Sequence, residues 1–172
     1  MSNLDEWRRA RAITTRHDFV ALHPYAFLVS APRPDTGEFG PLTNPTEFRT
    51  VTHKHDLPPP RQTAQALQEA MLLILPLRKA EGHPFPERIS VGRAMNCDVV
   101  IRDPSVSKLH GHFRDIGTDA AFFTDAKSSN GTRVDGELIK PGDAVEIKRQ
   151  TVLSFGRVHL TLVSAADVYD SL

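Results

Sequence analysis

A chain of 172 residues is long enough for one domain of ordinary size with an appendage, or for two small domains. Its 21 Lys and Arg balance 21 Asp and Glu, so no overall field draws it to nucleic acid or to an anionic membrane, and any anion must be held by a local site. The single Cys97 excludes an internal disulfide and suits a reducing compartment, which predicts a cytoplasmic protein.

Residues 1–13 carry charge rather than an apolar core, so no secretory signal is expected, and Leu4 to Ile13 reads as a short helix with a solvated face. Tyr25 to Ser30 and Phe48 to His53 have strand-like content. Eleven of the 13 prolines fall at or before Pro86, and Pro58-Pro59-Pro60 removes three successive backbone donors, which favours an extended polyproline segment. Residues 1–66 therefore read as a proline-rich extension with too few apolar residues for a core of its own. It either packs on the next domain, 67–172, or is partly disordered. The apolar run near residues 70–77, broken by Pro76, is far short of the ~20 residues that span a bilayer. Met71-Leu72-Leu73-Ile74-Leu75 is instead a candidate strand buried on both faces.

From about Ala70 the pattern turns to short β segments: Met71–Arg78, Arg88–Gly92, Val99–Ile101, Gly111–Ile116, Ala121–Asp125, Thr132–Val134, Ala144–Ile147, Val152–Phe155 and Val158–Val163. Turn formers separate them, among them Asp103-Pro104, Asn130-Gly131, Asp135-Gly136 and Pro141-Gly142-Asp143. An all-β sandwich or barrel is expected, followed by a brief helix or frayed tail at Asp167–Leu172.

Three polar motifs sit at these turns: Gly92-Arg93, Ser107-Lys108-Leu109-His110 and Ser129-Asn130-Gly131. A phosphate ester needs donors and a cation that keeps its proton, which the Arg93 guanidinium supplies. Ser107 and Ser129 add hydroxyls, Lys108 a second cation and Asn130 a two-faced amide. Taken singly, each is an ordinary loop residue.

In order and spacing, Ile89-Ser90-Val91-Gly92-Arg93, Cys97-Asp98-Val99-Val100-Ile101, Ser105-Val106-Ser107-Lys108-Leu109-His110, Ser128-Ser129-Asn130-Gly131-Thr132 and Pro141-Gly142-Asp143 resemble the forkhead-associated (FHA) domain. The resemblance implies an FHA-like β-sandwich of two antiparallel sheets over roughly residues 70–164, with an N-terminal mixed or irregular extension. It also implies a non-enzymatic phosphothreonine reader in Ser/Thr kinase signalling. By likeness, Arg93 and Ser107 hold the phosphate, Lys108 and Ser129 assist, Asn130 holds ligand main chain, and Gly92, His110 and Gly131 shape the site. His110 is then a buried scaffold histidine. The family often has Arg or Asn where Lys108 stands, which weakens that assignment. The implied partner is a phosphothreonine-containing protein, a Ser/Thr kinase or its substrate. The alternative is a phosphate-independent scaffold or oligomerisation domain of the same fold, with oligomeric state unassigned.

Other chemistries fit less well. Residues 67–172 hold 13 Lys and Arg against 14 Asp and Glu, the opposite of a nucleic-acid footprint. His53-x-His55 and His110-x-His112 lack partners to complete a metal site, so neither metal nor cofactor is expected. Ser107, His110 and Asp125 could be imagined as a hydrolase triad, but Ser and His three apart on a loop rarely meet its geometry. A narrower reading has Thr15, three residues before Asp18, phosphorylated and docked on Arg93.

Overall fold

The computed structural model describes residues 4–30 and 73–172. The polyproline triplet, the strand expected at Phe48–His53 and the His53-x-His55 pair lie outside these residues.

The chain begins with two helices, α1 (Leu4–Ile13) and α2 (Arg16–Leu22). In α1, Asp5 and Glu6 occupy the first turn and Arg11 the last, charges that complement the helix dipole. Leu4 and Trp7, three apart, form its buried stripe. Helix α2 starts at Thr15, whose Oγ1 accepts from the Asp18 backbone N–H at 3.2 Å and donates to the Asp18 carboxylate at 2.7 Å. The threonine considered as a phosphorylation site is thus an N-cap.

The strands are β1 (Phe27–Ser30), β2 (Ile74–Pro76), β3 (Ile89–Gly92), β4 (Val99–Val100), β5 (Gly111–Arg114), β6 (Ala120–Asp125), β7 (Thr132–Val134), β8 (Glu137–Leu138), β9 (Ala144–Lys148), β10 (Val152–Phe155) and β11 (Val158–Val163), with helix α3 (Ala165–Ser171) closing the chain. They form a six-stranded sheet ordered β2-β1-β11-β10-β7-β8 and a five-stranded sheet ordered β4-β3-β5-β6-β9. The described pairings are antiparallel except for the short parallel contact of β3 with β4. The result is a β-sandwich.

Between the sheets, Val91, Phe113, Phe123 and Ile147 of one face Leu28, Leu153, Phe155, Leu160 and Leu162 of the other, all at 0% exposure. Phe123 links the layers, with its ring centroid 4.8 Å from Phe113 and 5.4 Å from Phe155. Strand period two sends Phe27 and Ile74 to the opposite face of their sheet, where they meet Leu4, Trp7, Phe19, Ala165 and Val168 in a second cluster. The first sheet is therefore covered on both faces, by its partner sheet and by the three helices. This explains why both Ile74 and Leu75 are buried. Burying one such aromatic side chain as fully as Phe19 contributes roughly 1.5–3 kcal/mol.

The helical layer is pinned at its ends. Ser164 and Asp167 form a reciprocal capping box at the start of α3, the Arg16 guanidinium meets the Asp170 carboxylate at 2.9 and 3.0 Å, and the Tyr169 hydroxyl donates to the Thr14 carbonyl at 3.2 Å. Strand β1 lies before the boundary expected at 66/67, yet it runs inside the six-stranded sheet between β2 and β11.

Candidate functional site

Strand β3 ends at Gly92, and the chain turns there against the loop that precedes β5. The Arg93 N–H donates to the Ser107 carbonyl at 2.9 Å, the Ala94 N–H to the Lys108 carbonyl at 3.0 Å, and the His110 N–H to the Val91 carbonyl at 2.8 Å. Backbone lies so close to backbone that a Cβ on residue 92 would stand 2.2 Å from the Lys108 carbonyl oxygen. Glycine is required at 92 by this approach rather than by a special φ.

The Arg93 side chain is exposed, and its Nε donates to the Val106 carbonyl at 3.1 Å. That contact places the guanidinium on the loop carrying Ser107, with its terminal nitrogens unused and no carboxylate paired with it among the described residues. The Ser107 hydroxyl accepts from the Ser129 backbone N–H at 2.9 Å and lies 3.5 Å from the Ser129 hydroxyl. It thereby joins the second loop to the third, and its own proton goes to the Ser129 hydroxyl over a long contact that a phosphate oxygen can displace. Asn130 uses Nδ2 on the Ser105 carbonyl at 2.8 Å. The Lys108 carbonyl also accepts from the Cys97 thiol at 3.3 Å, while its ammonium arm is exposed and unpaired among the described residues. Gly131 adopts φ +69°, the left-handed turn conformation that favours glycine.

His110 is fully buried beneath these loops. The Ser107 backbone N–H donates to its Nδ1 at 3.2 Å, so Nδ1 must be the unprotonated nitrogen, and Nε2–H donates to the Gly131 carbonyl at 3.3 Å. One ring therefore spaces the second and third loops. Burial pushes its pKa down, against weaker upward pulls from the Gly131 carbonyl and Asp125. Because the folded pKa lies below the ordinary 6.5, the unfolded chain takes the proton first. Stability is accordingly full above that value and declines as pH falls below it. His110→Ala, which strands the Ser107 N–H and the Gly131 carbonyl, is expected to lose about 2–3 kcal/mol in urea unfolding and to flatten this decline.

The imagined triad does not form. The group of Ser107 that meets the imidazole is its backbone N–H, and its hydroxyl is turned to Ser129. Asp125 lies 3.9 Å from Nε2 and spends its oxygens on Ser128 N–H at 2.8 Å, Ser128 Oγ at 2.7 Å and Thr132 Oγ1 at 2.7 Å. Burial alone would raise its pKa, but these hydrogen bonds and His110 outweigh it and hold the carboxyl below its usual range. His112 projects from the other face of β5, and no group of three or more His, Cys, Asp or Glu placed to hold a metal occurs among the described residues.

Two supporting groups were not anticipated from sequence. One is the Asp125–Ser128–Thr132 network, whose readable trace is an aspartate three residues before a serine at a turn. The other is a clamp on the Ser105 loop: Asp103 accepts from Ser105 N–H at 2.8 Å, Ser105 Oγ at 2.7 Å and Arg157 Nε at 3.1 Å, while Ser105 Oγ accepts from Arg157 N–H at 3.0 Å. Asp103-Pro104-Ser105 is legible as a turn, whereas Arg157 arrives from the β10–β11 hairpin and carries no local signal.

Arg93, Ser107, Ser129 and Asn130 form an open rim. They line neither a cavity of about 480 Å³ beside Asp98 nor one of about 240 Å³ beside Leu109. A rim suits an ester on the surface of another protein better than an engulfed small molecule.

The family model described as "FHA domain" matches residues 89–156, the segment that carries every one of these loop residues. The chain carries an FHA domain. Over 71 residues, 41% of this chain, it is 34% identical to FHA domain-containing protein PS1 of Arabidopsis thaliana, and it spans only 5% of that relative's length. Among solved structures, the FHA domain of the CT664 protein from Chlamydia trachomatis has a TM-score of 0.44 at 22% identity, over 54% of this chain and 85% of that one. Mycobacterium tuberculosis EmbR, solved in complex with a low-affinity phosphopeptide, has a TM-score of 0.41 at 22% identity over 60% of this chain and 29% of its own. Strands β1, β2 and β11 and the three helices lie outside the matched segment, although β1, β2 and β11 belong to the same sheet as the matched β7 and β10. No helix among the described residues is long and apolar enough to cross a membrane.

Proposed function

We propose that this FHA domain is a non-enzymatic reader of phosphothreonine in a partner protein, a Ser/Thr kinase or its substrate, in the cytoplasm. Arg93 and Ser107 take the phosphate, Lys108 and Ser129 assist, and the free Oδ1 face of Asn130 takes ligand main chain. Gly92, His110 and Gly131 hold the three loops in register. The observation that carries this reading is the Arg93 guanidinium tied to the Val106 carbonyl beside a Ser107 hydroxyl that the Ser129 N–H orients. A fixed cation thus stands next to a hydroxyl held in place, with no carboxylate paired with it among the described residues. An ester with a charge of about −1.5 to −2 and three acceptor oxygens matches that arrangement. The pair is exposed, so binding weakens as salt rises.

Isothermal titration of the full chain with paired peptides, identical but for the phosphate on threonine, tests the reading. The phosphorylated peptide is expected to bind and its unmodified twin to give no heat. Equal binding of the two would favour a phosphate-independent scaffold of the same fold.

A further inference from the structure

Two side chains of the candidate site hang on consecutive carbonyls. That of Ser105 accepts from Asn130 Nδ2 at 2.8 Å, and that of Val106 accepts from Arg93 Nε at 3.1 Å. The Ser105–Val106 peptide therefore sets how far the amide stands from the guanidinium. Its Val106 end is anchored by the core, where that side chain is 1% exposed. Ser105 is half-buried, brings no apolar anchor of its own, and is held instead by the β10–β11 hairpin. Gly156 and Arg157 form the turn between the paired Phe155 and Val158, so close to the loop that a Cβ on residue 156 would stand 2.5 Å from the Ser105 carbonyl oxygen. The Arg157 N–H donates to Ser105 Oγ at 3.0 Å, and its Nε–H is shared by both Asp103 carboxylate oxygens at 3.1 Å. Asp103 in turn accepts from the Ser105 N–H at 2.8 Å and from its Oγ at 2.7 Å. An unbroken path of hydrogen bonds thus runs from Arg157 through Asp103 and Ser105 to Asn130.

We propose that Arg157 is a positioning residue of the phosphothreonine site: through Asp103 it fixes the Ser105 carbonyl, and with it the place of the Asn130 amide relative to Arg93. The assignment rests on the reading of the three loops as a phosphothreonine site. A ligand that gives its ester to Arg93 and Ser107 and its main chain to Asn130 is held at two points at once, so their separation has to match before it arrives. A loosened Ser105 makes the ligand bear the ordering cost itself, with no direct contact removed. Arg157 acts through Asp103, whose two oxygens share its Nε–H, rather than on the ester. The Arg157 side chain is 63% exposed, so the ion pair adds little to global stability and its removal is read in affinity instead.

The test uses the full chain, one phosphothreonine peptide and its unmodified twin. Arg157→Ala is expected to weaken phosphopeptide binding about threefold to fivefold while the thermal midpoint stays within about 3 °C of the parent. Asp103→Ala removes a charge of the opposite sign and is nevertheless expected to weaken binding too. In that background Arg157→Ala should add less than about 1.5-fold, because the two act as one unit. Asp103→Asn, which keeps an oxygen for Ser105, serves if Asp103→Ala does not fold. In the free protein, the side-chain amide signal of Asn130 in a nitrogen–proton NMR spectrum, assigned by its loss in Asn130→Ala, is expected to shift in Arg157→Ala. Tighter binding by Asp103→Ala, or an Arg157→Ala loss that persists in full beside it, would put Arg157 on the ester itself and overturn the proposal. An unmoved Asn130 signal overturns it as well. If the parent binds both peptides alike or neither, the reading of the three loops falls and the positioning role with it, whatever the Asn130 signal does.

Discussion

Arg93→Ala is expected to lower phosphopeptide affinity by about 2–3 kcal/mol, roughly 30- to 150-fold, and so to remove detectable binding of a moderate-affinity ligand. The size follows from what the guanidinium offers, two or more charge-assisted hydrogen bonds to an ester that the remaining neutral donors cannot replace. The fold should be unaffected, because Arg93 is exposed and its structural contacts are made largely by its backbone. Only the Nε bond to the Val106 carbonyl is lost, and that oxygen can turn to water. Arg93→Lys separates charge from geometry: it keeps the cation but has no planar fork to bridge the carbonyl and the ester, so it should restore only part of the affinity. Titrations of the three proteins with one phosphopeptide, alongside thermal melts, decide the matter. Binding by Arg93→Ala equal to that of the parent would remove the guanidinium from the site.

The largest effect on stability is expected at Asp98, whose side chain is fully buried. Its carboxylate accepts from Lys79 Nζ at 3.0 Å, the Ala80 N–H at 3.0 Å, Ser90 N–H at 2.7 Å and Ser90 Oγ at 2.7 Å, and lies 3.0 Å from His83 Nδ1. Burial opposes its ionisation, but the bonds from Ser90, Ala80 and Lys79 prevail and bring the pKa down from 3.8 to about 2. The stabilisation is therefore present above 3.8 and is lost as pH falls through about 2. By linkage this amounts to about 2 kcal/mol at neutral pH. Asp98→Ala also strands the Ser90 N–H and the Lys79 ammonium, so its total cost should reach about 3–5 kcal/mol. Urea unfolding at about pH 7 and about pH 3 would measure both, with the gap between variant and parent expected to narrow in acid. A variant as stable as the parent at neutral pH would show that the 77–90 stretch is held by something else.

What could be read from the chain depended on how local each interaction is. Helix α1 and the strands Thr132–Val134, Val152–Phe155 and Val158–Val163 appear with the expected ends, because period and punctuation are written within each segment. Helix α2 went unread. It is seven residues long with only Phe19 buried, too short for a periodic stripe, and its one local sign, Thr15 three residues before Asp18, is a pattern shared by caps, modification motifs and ordinary solvated segments. Strand β8 has both residues exposed and so shows no alternation. The membership of β1 in the sheet was hidden for a different reason: its neighbours β2 and β11 lie far along the chain, and nothing in Phe27–Ser30 names them. The loop residues were legible as a set because their motifs fall on turns. Their scaffolding was half visible at best, since Asp125 and Asp103 draw on nearby serines, but Arg157 and the partners of Asp98 come together only after folding.

The sheet order sets the smallest piece of this protein that can stand by itself. A fragment cut to residues 89–156 would retain β10 while discarding β11, β1 and β2, leaving Leu153 and Phe155 without the apolar partners that Leu28, Leu160 and Leu162 provide. Because β1, from before residue 31, pairs with β11, from after residue 157, the six-stranded sheet draws on both ends of the described chain. Recombinant production of the β-sandwich alone would have to carry the N-terminal strand along with it.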